Sequence, residues 1–511
     1  MTDHAAQSGS HRTTITALVL LAAMMQTLDT TIVNVALPYV QGSVATSPDQ
    51  ITWVLTSYIT ASAIMTPPTG FLVARFGLKR LFMISTLGFT FASMLCGMAD
   101  SLAQIVVFRL VQGAFGAAMI PLSQTVLLTI YPKERQGFAM ALFGMGVVVG
   151  PVLGPVLGGW LTQDYTWRYV FYINVPLGII AFLGMMVFLP ESPRSGAQKF
   201  DWFGFGTLSL AIGAFQIMLD RGEIKDWFGS SEIVIEALVA GTALYLFLVH
   251  TFTAEHPFMR PALFRDRNLS AGVIFSVIAF ITLYASLALQ PPYLQDLMNY
   301  PVLTAGLVMG PRGVGTMIGT IVVGRFVGKV DTRVLLGIGL GFSAWAFYDM
   351  TGWTPDVSAQ EIIITGLVQG AGFGVLFVPM SAVTLSTLSP EDRADGASIF
   401  SLSRSIGSSV GISVFSALLT TMTEVNHADI SASVTPVNRG FDDPTVTQFL
   451  SPLTAAGRAA LDALVTQQAQ VIAYIDDYKL LLIATLALFA LLLIFKKSGG
   501  SAGSGHAVVE G

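Results

Sequence analysis

Charge is what this sequence has least of. Only 11% of its 511 residues are Asp, Glu, Lys or Arg, against about 25% in a soluble globular protein. So little charge cannot cover the surface of a soluble protein of this length. Cysteine is nearly absent. Cys96 stands alone inside an apolar run, which excludes an intrachain disulfide and a Cys-based zinc cluster. The six histidines (His4, His11, His250, His256, His427 and His506) lie at termini, helix ends or loops. None sits mid-helix beside a carboxylate, so no metal site is expected. Gly328-Lys329 lacks both the earlier glycine and the following Ser or Thr of a phosphate-binding loop. Nothing else suggests bound nucleotide or a nucleic-acid partner, and no cofactor is expected.

What the sequence has is length without charge. It is 53% apolar, with a mean hydropathy of +0.68. Charge-poor apolar stretches long enough to cross ~30 Å of hydrocarbon as helices recur along the whole chain. They predict fourteen spans at 15–37, 51–73, 81–99, 102–130, 136–161, 169–189, 202–219, 232–252, 269–290, 304–323, 334–350, 360–388, 396–420 and 478–495. The first run continues through Thr31 to Leu37, past any signal-peptide cleavage point, so it is expected to stay as an anchor in the bilayer. Basic residues collect on alternate connections: Arg75, Lys79 and Arg80, then Lys133 and Arg135, Arg194 and Lys199, Arg260 to Arg267, Arg325 to Arg333, and Lys496 with Lys497. That bias predicts both ends of the chain in the cytoplasm.

The chain also repeats itself. Leu110-Val-Gln-Gly-Ala114 returns as Leu367-Val-Gln-Gly-Ala371, Pro121-Leu-Ser123 as Pro379-Met-Ser381, and Pro132-Lys-Glu-Arg135 as Pro390-Glu-Asp-Arg393. Order and spacing are kept, which predicts a duplicated bundle. The expected organisation is an all-α polytopic membrane protein: a cytoplasmic segment 1–14, a six-helix bundle 15–190, an inserted hairpin 202–252, a second six-helix bundle 269–495, and a Gly/Ser-rich tail 496–511. The second bundle carries a long polar outer segment, 421–477, which includes a helix-like stretch near 453–475.

Few residues in the spans can carry chemistry. Asp29 sits near the middle of the first, where a carboxylate costs roughly 2.5–3.5 kcal/mol to insert, so such a residue marks an ion or substrate path. Gln26 precedes it by one turn, and Asn34 follows on the same span. Arg109 lies inside the fourth span with Gln112 on its face. A guanidinium cannot shed its proton to escape burial, so it needs a carboxylate, a carbonyl or water. Arg312, Gln369 and Arg404 are the polar counterparts in the second bundle. With Gln26, Asn34 and Gln112 they are expected to line a substrate cavity. Gly146, Gly150, Gly154 and Gly158 recur every four residues in the fifth span, with Gly159 next and Pro151 and Pro155 between. Small residues at this period let helix backbones touch, and the ridge is expected at the interface between the bundles. Gly70, Arg75, Gly77, Lys79 and Arg80 form a short basic loop after the second span, expected to gate the cytoplasmic side.

Four segments together resemble the fourteen-helix drug:proton antiporters of the major facilitator superfamily, the EmrB/QacA type. They are Leu28-Asp-Thr-Thr-Ile-Val-Asn-Val-Ala-Leu-Pro38, Arg109-Leu-Val-Gln-Gly113, Gly150-Pro-Val-Leu-Gly-Pro-Val-Leu-Gly-Gly159 and Trp167-Arg-Tyr-Val-Phe-Tyr-Ile-Asn-Val-Pro176. Leu219-Asp-Arg-Gly222 with Asp226-Trp-Phe228, and the long outer segment, are most similar to the EmrB branch of that type. The resemblance implies a proton-coupled exporter of hydrophobic or amphipathic drugs in the bacterial inner membrane. It also implies a periplasmic adaptor and, through it, an outer-membrane channel. Asp29 would exchange the proton and Arg109 would tune the exchange. The segments 421–477 and 220–231 would help dock the adaptor. Ala74 stands where the wider superfamily has an Asp, so any latch in that loop must differ. An importer of the same fold is the alternative. A membrane-embedded enzyme would need a polar cluster of a kind not visible here, and a sensor would need a signalling domain.

Overall fold

The computed structural model describes residues 9–132, 135–191, 200–255, 257–389, 392–434, 450–451 and 453–495. Sixteen helices of eight residues or more lie among them. They are α1 (Gly9–Val44), α2 (Trp53–Met65), α3 (Thr69–Phe76), α4 (Leu78–Met98), α5 (Leu102–Gly116), α6 (Met119–Ile130), α7 (Gln136–Asp164) and α8 (Asn174–Phe188), followed by α9 (Trp202–Gly222), α10 (Ser231–Thr253), α11 (Arg267–Pro292), α12 (Val302–Gly324), α13 (Thr332–Met350), α14 (Ala359–Ser386), α15 (Arg393–Ser433) and α16 (Ala455–Leu491). The architecture is all-α and polytopic.

The expected count of fourteen spans, and with it the arrangement of six plus two plus six, is corrected. Ten helices among the described residues are long and apolar enough to cross a membrane. The other four expected spans are not among these ten. The run 51–73 breaks between Met65 and Thr69, at Pro67 and Pro68, leaving α2 and α3 as shorter pieces; proline lacks the donor that would continue the helix. α7 is continuous over Gln136–Asp164, but several of its side chains lie outside the described structure, and its described apolar run is Gln136–Val147. α13 carries Arg333 and Asp349 near its ends, which dilutes its apolarity. The stretch 478–495 is not a separate span. Most of it is the last part of the continuous 37-residue α16, where Asp476, Asp477 and Lys479 shorten the apolar run.

Two connections also differ from expectation. The outer segment 421–477 is largely helix, because α15 continues to Ser433 and α16 begins at Ala455. The two extensions meet where His427 Nε2 lies 3.0 Å from Asp462 Oδ1; residues 435–449 and 452 lie outside the described structure, as does the tail 496–511. Asp220, expected in an outer loop, is inside α9, which runs on to Gly222.

Packing sets where polar groups can sit. α1 lies along α7 and α8, α2 along α5, and α4 between α5 and α8. Further on, α12 and α13 flank α14, and α11 pairs with α15. α7 turns its other side to α12 and α14. The α9–α10 hairpin touches α2 on one side and α15 on the other. Asp201 pins the foot of that hairpin. It caps α9 through Gly204 N at 2.9 Å, accepts from Phe258 N at 2.9 Å, and meets His250 Nε2 of α10 at 2.9 Å. Burial alone would push this carboxyl up, but the two amides and the His250 ring outweigh it and hold it below the ordinary aspartate range.

Candidate functional site

The deepest polar cluster is built by five helices. Asp29 of α1 and Arg109 of α5 form an ion pair with both side chains fully buried. Around it the bonds close into a ring. Arg109 Nη1 donates to Gln112 Oε1 at 2.9 Å, and Gln112 Nε2 donates to Asp29 Oδ1 at 2.8 Å. Asn174, the first residue of α8, donates to the same Oδ1 at 3.0 Å and to Ser93 Oγ of α4 at 3.1 Å. Arg109 Nε reaches the Val54 carbonyl of α2 at 3.0 Å, and its guanidinium lies 4.0 Å from the centre of the Tyr58 ring. A cation over a desolvated aromatic face gains about 2 kcal/mol.

Local sequence explains the convergence. Arg109 and Gln112 are three residues apart, so one face of α5 presents both. Gly113 follows on that face, and a side chain there would strike the Tyr58 carbonyl. Its absence lets α2 close onto α5, which brings Val54 and Tyr58 within reach of Arg109.

The glycine ridge positions Asp29 rather than the interface it was expected to form. Gly146 faces Leu20, Gly150 faces Thr27 and Leu28, Gly154 faces Thr31 and Ile32, and Gly158 faces Ile32 and Val35. All are α1 residues, so the ridge is an α7–α1 contact that brackets Asp29. No described residue crowds Gly159, and the side chains of Pro151 and Pro155 lie outside the described structure.

The other expected residues do not join this cluster. Gln26 is the exception, buried one turn away with its side chain beside the Tyr58 hydroxyl, while Asn34 is exposed. Arg312 and Gln369 form a second cluster. Arg312 donates to Gln290 Oε1 at 3.1 Å and to Ser286 Oγ at 2.8 Å, and Gln369 approaches Ser286 at 3.4 Å. Both line a cavity of about 20 Å³ with Phe373 and Leu283. Arg404 lies apart, 6.0 Å from the Phe280 ring. Among the described residues no group of three or more His, Cys, Asp or Glu could hold a metal ion.

Sequence reasoning missed Asn174, Ser93 and Tyr58. Asn174 was legible in principle, as a lone amide in the apolar motif around Ile173 and Pro176. Ser93 and Tyr58 carry no such signal, because hydroxyls are common in spans.

At the opposite end from these residues the basic loop closes against α15. A side chain on Gly70 would overlap the Asp395 carboxylate. Arg260 bridges Asp392 and Asp395, the latter at 2.9 Å. Gly77 takes φ +84°, a conformation glycine adopts without strain. Arg75 and Arg80 are exposed and Lys79 is partly so.

The fold is polytopic and helical and encloses a buried carboxylate–guanidinium pair between its helices. The chain belongs to the Major Facilitator Superfamily, whose family model matches residues 19–412. It is 36% identical over 426 residues to the multidrug export protein EmrB of Haemophilus influenzae, covering 83% of this chain and 84% of that one. It is 34% identical over 435 residues to the fatty acid resistance protein FarB of Neisseria gonorrhoeae, covering 85% and 86%. In fold it is similar to the human organic anion transporter MFSD10, with a TM-score of 0.61, 13% identity and coverage of 94% and 99%. The proton:xylose symporter XylE gives a TM-score of 0.59 at 15% identity, covering 92% and 96%. The chain is therefore a multi-pass inner-membrane transporter homologous to drug-resistance export proteins, from a family of transport proteins rather than enzymes.

Proposed function

We propose that this chain is a proton-coupled exporter of hydrophobic or amphipathic compounds, with Asp29 as the proton carrier and Arg109 as its counter-charge. The single observation behind this is the donor pattern around Asp29. Each hydrogen bond to the carboxylate among the described residues comes from a donor: Arg109, Gln112 and Asn174. Such a ring fits the ionised form. A proton can load only when the ring opens, so loading is tied to a rearrangement of α1 against α5 and α8. Substrate binding that favours one arrangement then shifts protonation, and the proton gradient drives the cycle. A charge crossing ~150 mV at ~2.3 kcal/mol per 100 mV supplies about 3.5 kcal/mol, enough for a few hundredfold of substrate gradient. Gln26, Asn34, Gln112, Arg312, Gln369 and Arg404 are proposed to face substrate at different stages of that cycle. The Gly70–Arg80 loop is proposed to latch the cytoplasmic side, with Asp395 supplying from α15 the carboxylate that Ala74 does not. In everted membrane vesicles, ethidium or a medium-chain fatty acid should accumulate when the lumen is acidified and leak out when a protonophore is added. Uptake indifferent to the protonophore contradicts the reading.

The outer extensions of α15 and α16 are proposed to dock a periplasmic adaptor and, through it, an outer-membrane channel. Transport within the bilayer does not require helices that continue this far, and their exposed acids suit a wet, charge-steered contact. Shortening 424–470 to a minimal linker should leave ethidium binding to the purified protein intact, while cellular resistance and adaptor co-purification fall together. Unchanged co-purification would place docking elsewhere.

A further inference from the structure

The Leu219-Asp-Arg-Gly222 motif holds a second buried carboxylate that the Asp29 site does not use. Asp220 lies on α9 where that helix stands between α2 and α15. Its Oδ1 accepts from Gln216 Nε2 at 3.0 Å, one turn earlier on α9. Gln216 Oε1 in turn accepts from Ser409 Oγ of α15 at 2.9 Å. The Thr56 hydroxyl of α2 stands beside the carboxylate, and Oδ2 is buried without a well-formed hydrogen bond. One carboxylate thus gathers polar contacts from early and late parts of the chain. Apolar clusters hold the same junction: Ala63, Leu208 and Leu402 join α2, α9 and α15.

Among the described residues no cation pairs with Asp220. The adjacent Arg221 is engaged by Glu232, with Glu236 at 3.9 Å, and lies over the Trp53 ring at 5.4 Å. Lys225 is 3.7 Å from Glu232. Glu223 accepts from Thr420 of α15 at 3.0 Å. α2 contains no charged residue, and neither does α15 between Ser405 and Thr423. A lone carboxylate in such a place is costly when ionised and is relieved by taking a proton. The nearest cavity is lined not by Asp220 itself but by its chain neighbour Arg221. Trp53, Arg221, Ile224 and Lys225 line a cavity of about 330 Å³ together with Ser47, Gln50 and Thr52. This cavity is at the outer end of α2 and α9, remote from the Gly77 loop, and Thr56 lies one turn below Trp53.

Building on the proton-coupled reading above, we infer that Asp220 is a second proton-binding site, loaded from the outer cavity between α2 and α9. A proton from the cavity adds to Oδ2, and the carboxylate becomes a neutral acid. The Gln216 bond to Oδ1 then loses its charge assistance, which roughly halves its strength. The relay through Ser409 slackens, and α15 is freed to move relative to α9 and α2. Deprotonation tightens it again. The site therefore reports outer pH to the junction that joins early and late helices.

The test needs no substrate. The purified full chain is titrated from alkaline to mildly acidic pH and bound protons are counted per molecule. Asp220→Asn should bind one proton fewer than wild type, and Asp220→Glu should restore it. Gln216→Leu should keep the count but move the midpoint of that proton to higher pH, because removing a donor disfavours the ionised form. An Asp220→Asn count equal to wild type overturns the inference. So does an unmoved midpoint in Gln216→Leu, which remains readable if the Asn variant does not fold. Failure of coupled export at Asp29 would leave this titration unaffected, so the two readings fail separately.

Discussion

Asp29→Asn should abolish proton-driven export, reducing energised accumulation by up to the few-hundredfold gradient that the coupling supports. The isostere keeps an oxygen for Gln112 and Asn174 but removes the charge facing Arg109. Sequence reasoning alone, which saw only a costly acid removed, expects no harm to insertion. The structure adds a cost. Arg109 is fully buried, and a buried guanidinium stripped of its partner destabilises by roughly 3–5 kcal/mol. The Tyr58 ring, the Val54 carbonyl and Gln112 remain to offset part of this. Asp29→Asn should therefore be inserted but less heat-stable in detergent. Combining it with Arg109→Gln should recover much of the stability and none of the transport. A double variant that regains transport would show that the pair is only a packing device.

Gly154→Val should be nearly as damaging, through position rather than charge. A Cβ at Gly154 lands on Thr31 Oγ1, and Ile32 N lies 3.1 Å from it. α1 must move away, and Asp29 moves with it. Its bonds to Gln112 and Asn174, at 2.8 and 3.0 Å, leave little slack. Misplacing a functional group by about 1 Å costs on the order of a hundredfold in rate. Membrane expression should stay close to wild type, since the substitution adds no charge. Gly159→Ala is the control: among the described residues nothing lies within 4 Å of the position its Cβ would take, so it should transport normally. Equal impairment of both variants would mean that the ridge acts on helix stability in general.

The membrane class, the all-α architecture and the Asp29–Arg109 partnership were legible because each follows from a cost. Uncharged length has one cheap home, and a buried arginine must find an acid or a carbonyl. The sequence repeat pointed to Gln112 and Gln369 as counterparts, and each does sit in a buried polar cluster. What surrounds them was not legible. In one cluster the arginine comes from the same helix as the glutamine. In the other Arg312 arrives from α12, packing beside Gly366, the residue that matches Arg109 in the repeat. Span number was misjudged because apolar length ignores what interrupts a helix. Pro67-Pro68 divides one expected span, and Asp476, Asp477 and Lys479 crowd the start of another. The partner of the glycine ridge was misplaced because a small-residue period says that a helix is approached closely, not by which neighbour. Asp220 was read as loop because the motif sits next to Gly222, and only the course of α9 turns it inward.

The central claim is that Asp29 takes up and releases a proton as the ring around it opens and closes. It is tested most directly by proton movement in proteoliposomes that hold the purified chain and a pH-sensitive dye, with ethidium added to drive exchange. Wild type should move protons in proportion to the ethidium transported, and Asp29→Asn should move none while still binding ethidium. Ethidium-dependent proton movement of wild-type size in Asp29→Asn would contradict the account.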